Sequence, residues 1–186
     1  MRRPAAVGDG WHVGIVTVLE AQTAAVLEVL GIAAGRRFHI GRMAVPGGVT
    51  YLVATPPAGV GGVTAALTDL CARYDPPVVA LVGGHSAKAT DVTVAFGRPP
   101  VDGAFNSFFS ASGEPATLPG YGGDPPFRVS RSPTSEDEVL DFCADATTRH
   151  GKPLGWAVIR GGTDTAADRN AAQTLRYLVP YLRPRL

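Results

Sequence analysis

The chain has little cysteine, little charge and no long hydrophobic run. Two of its 186 residues are cysteines, Cys71 and Cys143, and no His/Cys cluster surrounds them. This argues against a disulfide framework and a structural zinc site. Charged residues make up 18% and the net charge is +1, so no basic field for nucleic acid is expected. Apolar runs such as 78–82 fall far short of the ~20 residues that a membrane span needs, and residues 1–12 contain no apolar signal segment. We therefore expect a cytoplasmic protein that needs neither a metal nor a cofactor.

The length and the apolar fraction fit one globular domain. With 186 residues, 45% of them hydrophobic, the chain is long enough to bury a core, and we expect a single domain over residues 1–186. Glycine (23 residues) and proline (16 residues) are abundant and predict many or long loops. Residues 1–11 are predicted to be a flexible N-terminus. Residues 97–126 show no sustained period and are predicted to form a long irregular loop.

Hydrophobic patterning predicts strands that alternate with helices. A helix over 63–74 has the clearest period, with apolar residues at i, i+3, i+4, i+7, i+8 and i+11. Gly31 is predicted to end the first helix. The order indicates an α/β sheet with helices on both faces. The predicted strands are 12–18, 37–43, 49–55, 78–82, 91–96, 127–130 and 154–160, and the predicted helices are 20–30, 63–74, 135–150 and one from about 168 to a kink at Pro180.

Two glycine-containing segments follow predicted strands and could bind a ligand. The run Ala58-Gly-Val-Gly-Gly62 precedes a helix, where backbone N–H groups can approach a phosphate or a ribose, but a tight strand-to-helix turn explains it as well. Gly83-Gly-His-Ser86 follows a buried strand, and ligands bind at the carboxyl ends of strands in open α/β sheets. His85 and Ser86 could therefore contact a sugar or phosphate, or the segment could be a plain turn.

The sharpest local signal is Arg160-Gly-Gly-Thr-Asp164, which follows the strand 154–160. Two glycines let the chain turn and present Asp164 at the carboxyl end of that strand. An aspartate placed there can act as a general acid if its pKa is raised. Alternatively, Thr163 or Asp164 serves as the N-cap of the last helix.

Taken together, these segments resemble the nucleoside phosphorylase/nucleosidase superfamily, and within it the methylthioadenosine/S-adenosylhomocysteine nucleosidases. They occur in the family's order and cover most of the chain apart from 97–126. The matching stretches are Val13–Glu20, Ala58–Ala66, Val78–Gly84, Asp91–Ala95 and Trp156–Asp164. The resemblance implies a three-layer α/β/α fold with a twisted mixed central sheet. It also implies cleavage of the N-glycosidic bond of a purine nucleoside and allows a homodimer.

The resemblance also implies a role for each matching residue. Asp164 matches the aspartate that protonates the departing purine. The glutamate that activates water falls on Gln22, whose neutral amide can orient water but cannot take its proton. The ribose-binding glutamate falls near Asp141, although the period of that helix puts Asp141 on the solvent face. The family's glycine-rich turns line the sugar site, which implies substrate contacts at Gly59, Gly83 and Gly84. His85 and Ser86, where this turn departs from the family's run of small residues, and Arg160 are expected to add further contacts.

Three hypotheses about function remain open. The chain could be a purine nucleosidase with Asp164 as general acid. It could be a degenerate relative that binds a nucleoside and turns it over poorly. It could also be an interaction module that keeps only the fold, because a fold does not guarantee a function. Convergence of Asp164, Gln22 and 83–86 on one place would favour the first two.

Overall fold

A computed structural model describes residues 11–45, 48–85, 92–97, 129–131, 154–161 and 166–182. Within these ranges the chain forms strands, α-helices and one final 3-10 turn. In chain order they are β1 (Trp11–Thr17), α1 (Glu20–Leu30), β2 (His39–Val45), β3 (Gly48–Ala54), α2 (Val63–Tyr74), β4 (Val78–His85), β5 (Val92–Gly97), β6 (Val129–Arg131), β7 (Gly155–Gly161), α3 (Ala167–Leu178) and the turn Val179–Tyr181. None of the described helices is long and apolar enough to cross a bilayer.

The strands form one mixed sheet in the order β2-β3-β1-β4-β7-β5-β6. The central strands β3, β1, β4 and β7 run parallel to one another. The strand β2 is antiparallel to β3, and β5 is antiparallel to β7 but parallel to β6. The strands β1, β4 and β7 are parallel neighbours, so their carboxyl ends lie side by side.

The central strands are apolar on both faces because helices cover both sides of the sheet. Val13 and Ile15 of β1 belong to the apolar cluster that α1 and α3 complete. Val16 belongs to the opposite cluster, which contains Leu67 and Leu70 of α2. All five side chains are almost inaccessible to solvent. The three-layer α/β/α arrangement implied by the resemblance is therefore confirmed.

The predicted helix ends also agree with the structure. Gly31 follows α1 with a φ of 66°, a left-handed conformation that glycine adopts without steric cost. Asp75 ends α2 with a φ of 47°. Cys71 of α2 is half-buried. Burial disfavours its thiolate and, with a smaller contribution from the nearby Asp75, raises the pKa of Cys71 to about 11.

Three predicted boundaries are wrong because tertiary contacts override the local pattern. The strand β1 begins at Trp11, inside the segment predicted to be flexible, and Gly97 belongs to β5 rather than to the irregular loop. The strand β2 begins at His39, since Arg37 and Phe38 pack on α2 instead. The Phe38 and Tyr74 rings lie 5.1 Å apart, edge to face. The predicted helix 135–150, the rest of the loop 97–126 and the turn at 46–47 lie outside the described residues.

Candidate active site

The site begins where β1 passes into α1. Gln22 is the third residue of this helix and is only 3% exposed. Its Oε1 accepts hydrogen bonds from the backbone N–H of Leu19 at 2.9 Å and of Val18 at 3.3 Å. Both partners are donors, so the atom that faces them is the amide oxygen. Gln22 therefore caps the helix with its oxygen and keeps only its NH₂ group for other partners.

The glycine-rich turn lies against the same point of β1. The N–H of Ala58 bonds to the Thr17 carbonyl, and the N–H of Gly59 bonds to the Val18 carbonyl, each at 2.9 Å. Gly59 and Gly61 have φ values of 77° and 80°, which explains why glycine stands at both positions. The tight-turn explanation and the ligand-binding explanation of this segment are thus compatible.

Gly83 and Gly84 form a bulge in β4 rather than the plain turn that one of the two interpretations required. Val82 pairs with Ile159 and His85 with Gly161, so β4 carries one extra residue here. Pairing with β7 extends the strand beyond Val82, which a local pattern cannot reveal. Bulges are common beside active sites because they redirect side chains.

Gly83 lies directly against the β1–α1 junction. A Cβ atom built on Gly83 would stand 2.6 Å from Val18 Cγ2 and 3.6 Å from Gln22 Oε1. A glycine is needed here because the neighbouring strand approaches so closely. The structure therefore brings Gln22, Gly59 and Gly83 together around Val18.

The end of β7 forms the next part of the same sheet edge. Arg160 is half-buried on this strand, and Ile159 pairs with Val82 of β4. The following Gly161 lies so close to α3 that a Cβ would stand 2.4 Å from the Ala167 carbonyl oxygen. The N-cap residue of helix α3 is Ala166. The alternative interpretation, in which Thr163 or Asp164 is the N-cap, is therefore wrong.

Several predicted site residues lie outside the described part of the chain. Asp164, Ser86 and Asp141 belong to this group, and of His85 only the backbone, within β4, is described. The roles assigned to these residues and to Arg160 stay predictions. The described neighbours of Asp164 along the chain are Gly161 and Ala166, at the β7–α3 connection.

Sequence reasoning did not single out Val18, which joins the three parts of the site. Its N–H donates to Gln22, its carbonyl accepts from Gly59, and its side chain faces Gly83. No sequence motif marks such a residue, because its importance comes from backbone contacts. Leu19 (46% exposed) and Val60 (92% exposed), which directly follow Val18 and Gly59 in the chain, are exposed apolar residues.

The chemistry available at this edge follows from its groups. The described side chains at this edge include the Gln22 amide and Arg160 of β7, and no set of three metal-ligating side chains occurs among the described residues. The Thr17 and Thr23 hydroxyls hydrogen-bond to each other below the junction, so both are satisfied within the protein.

The sheet order and the helices on both faces give a nucleoside phosphorylase/nucleosidase-like fold. The chain is similar to a futalosine hydrolase mutant of Helicobacter pylori strain 26695, with a TM-score of 0.50, 12% identity and coverage of 91% of this chain and 98% of that one. At this identity the likeness shows the fold.

Other solved structures are similar to the chain as well. The S-adenosylhomocysteine nucleosidase from Streptococcus pyogenes, in complex with 5-methylthiotubericidin, gives 17% identity, a TM-score of 0.49 and coverage of 96% of this chain and 99% of that one. The methylthioadenosine/S-adenosylhomocysteine nucleosidase from Colwellia psychrerythraea 34H, in complex with adenine, gives 13% identity and a TM-score of 0.48. The match covers 95% of this chain and 97% of that one. No family model and no curated protein matches the chain.

Proposed function

We propose that this chain cleaves the N-glycosidic bond of an adenine-type nucleoside of the methylthioadenosine/S-adenosylhomocysteine class. The observation that carries the proposal is the convergence of Gln22, Gly59 and Gly83 around Val18, at the edge where β7 also ends. The exposed apolar residues Leu19 and Val60, which follow Val18 and Gly59 in the chain, would suit an apolar substituent on the sugar.

In the proposed reaction, the bond between the sugar C1′ and the purine nitrogen breaks, and its electron pair leaves with the base. Asp164 donates a proton to the departing purine, the sugar passes through an oxocarbenium-like transition state, and water forms the new bond to C1′ and loses a proton, so that free sugar and free base are the products. The Gly59 turn and the bulge at Gly83 and Gly84 surround the sugar. Arg160, His85, Ser86 and Asp141 supply further substrate contacts. The catalytic power then depends on the general acid and on the position of the nucleophile.

The test is adenine release from methylthioadenosine, followed by chromatography. The substitution Asp164→Asn removes the acid, and we expect release to fall by ~10²–10⁴-fold while the melting temperature stays within a few degrees. Asp168→Asn is the matched control, because it makes the same change in the first turn of α3 and should leave release unchanged. Full activity in Asp164→Asn would refute the assignment of the acid.

A second candidate function is nucleoside binding without efficient turnover. The observation that favours it is Gln22, whose oxygen is already occupied by two backbone N–H groups and which has no carboxylate to take a proton from water. Calorimetry with adenine and with methylthioadenosine distinguishes the candidates. Binding of both compounds with no base release would support the second candidate, and absence of both binding and release would refute both.

A further inference from the structure

The strand β2 forms one edge of the sheet. It pairs with β3 along its whole length and is the outermost strand on that side. Within the described ranges, the only strand-like pairing on its outer side is an isolated bridge between Ala33 and Ile40. At every second residue from 41 to 45, the backbone N–H and C=O groups therefore point away from β3 without a described strand to meet them. Such an edge is a template on which another extended chain can add a strand.

The side chains of β2 give this edge a distinct character. Ile40, Arg42 and Ala44 alternate along the strand, so they lie on one face of the sheet, and all three are exposed. Ile40 is one of the few large apolar side chains that are exposed among the described residues. Arg42 forms no ion pair or hydrogen bond with any residue of the described ranges. The strand thus presents apolar side chains on both sides of one positive charge.

The sequence around β2 carries charge of one sign. Residues 29–68 contain three arginines and no aspartate or glutamate. Arg37 is paired with Asp69 at 2.7 Å, whereas Arg36 and Arg42 are exposed. The net charge of the whole chain is only +1, so this positive charge is a local property. Electrostatic complementarity then favours a partner that carries negative charge.

A second copy of this chain does not meet that requirement. Arg42 is the central residue of β2, whose register with β3 runs from His39 to Val45. Two copies that paired antiparallel over this whole length would place their Arg42 side chains directly opposite each other, and like charges in that position destabilise a strand pair. A nucleic acid is negatively charged but has no peptide backbone to continue the ladder. The edge therefore fits a polypeptide with acidic side chains.

We propose that β2 is a docking edge for an extended acidic segment of another protein, which adds a strand beside β2 and places a carboxylate against Arg42. Backbone hydrogen bonds supply the affinity, and the side chains of Ile40, Arg42 and Ala44 supply the selectivity. In the sheet, β3 separates β2 from β1, so docking does not involve Gln22. The proposal is therefore independent of the proposed catalysis.

The probe is a blocked nine-residue peptide of alternating valine and glutamate, titrated into the full chain by calorimetry at low salt. One control peptide has lysine in place of glutamate. The other consists of Pro-Pro-Glu repeats with the same number of glutamates, and it cannot form a ladder because proline has no N–H. We expect only the valine–glutamate peptide to bind and to slow amide hydrogen exchange in β2.

Three results of this experiment would overturn the proposal. The first is absence of binding by the valine–glutamate peptide. The second is equal binding of the Pro-Pro-Glu peptide, which would show that charge alone acts. The third is slow exchange of every amide from 41 to 45 in the free chain, which would show that the edge is already paired.

A charge reversal tests the role of Arg42. Arg42→Glu changes an exposed side chain and keeps the backbone of the edge. We expect it to weaken binding of the valine–glutamate peptide at least about fivefold and to let the lysine peptide bind. Arg169→Glu is the matched control, because it makes the same change at an exposed position of α3, and it should leave the affinities unchanged. An Arg42→Glu variant that folds normally and keeps the parent's preference for glutamate would overturn the assignment of Arg42.

Discussion

The close contact between Gly83 and Val18 leads to a prediction that can be measured without knowing the substrate. In Gly83→Ala the new methyl group would stand 2.6 Å from Val18 Cγ2 and 3.3 Å from Val18 Cβ. Val18 cannot easily rotate away, because a β-branched side chain is stiff at χ1. Its backbone is also held on both sides, by Gln22 and by Gly59.

Overpacking of this kind typically costs ~1–3 kcal/mol. In a chain of this size each kcal/mol lost from the free energy of unfolding lowers the melting temperature by about 2–4 °C. We therefore expect Gly83→Ala to lower the melting temperature by about 2–12 °C. Any base release should fall as well, since Val18 joins the three parts of the site.

A double-mutant cycle tests the cause. Val18→Ala removes the methyl groups that the new Cβ would meet, so the double variant Gly83→Ala/Val18→Ala should be less destabilised than the sum of the single variants. Urea unfolding gives the free energy of unfolding for each variant. Additive effects within ~0.3–0.5 kcal/mol would show that the two residues do not clash and would refute this reasoning.

Three further predictions concern the layers around the site. Leu70→Ala should lower the free energy of unfolding by ~2–5 kcal/mol in urea unfolding, because Leu70 is completely buried under the sheet. Gly31→Ala should cost only ~1–2 kcal/mol in the same assay, since its Cβ meets no atom and the cost comes from the left-handed φ of 66° alone. In a Cys143→Ser background, Cys71 should react with iodoacetamide about 100-fold more slowly at pH 8 than a thiol of ordinary pKa, because its raised pKa of about 11 keeps it protonated. The rate should then climb as the pH rises from 9 to 11, and fast labelling at pH 8 would contradict the burial of the thiol.

The elements with strong local patterns were predictable from the sequence. The helix α2 has its buried residues Val63, Leu67 and Leu70 at helical spacing and begins and ends where predicted. The continuous apolar run of β4 indicated a strand covered on both faces, and the sheet confirms it. In these elements the same residues determine the local conformation and the packing.

The features that depend on distant partners were not predictable. The bulge in β4 arises from pairing with β7, and β2 starts late because Phe38 packs on α2. The position of Gln22 in the site could be expected from the resemblance, but its cap role could not. A capping box is usually marked by Ser or Thr at the N-cap, whereas Leu19 stands there.

The position of β4 between β1 and β7 has a consequence for how the chain folds during synthesis. Residues 86–154 separate β4 from β7 along the chain, so the ribosome completes β1 through β4 long before β7, the second partner of β4, exists. During that interval the β7-facing edge of Val78–Val82, a run of apolar residues, has no strand to pair with. Unpaired apolar edges are prone to aggregate. We therefore expect a chain truncated after β4 to aggregate or to be bound by chaperones. In the full chain, we expect the late pairing of β7 with β4 to be slow and to limit the folding rate.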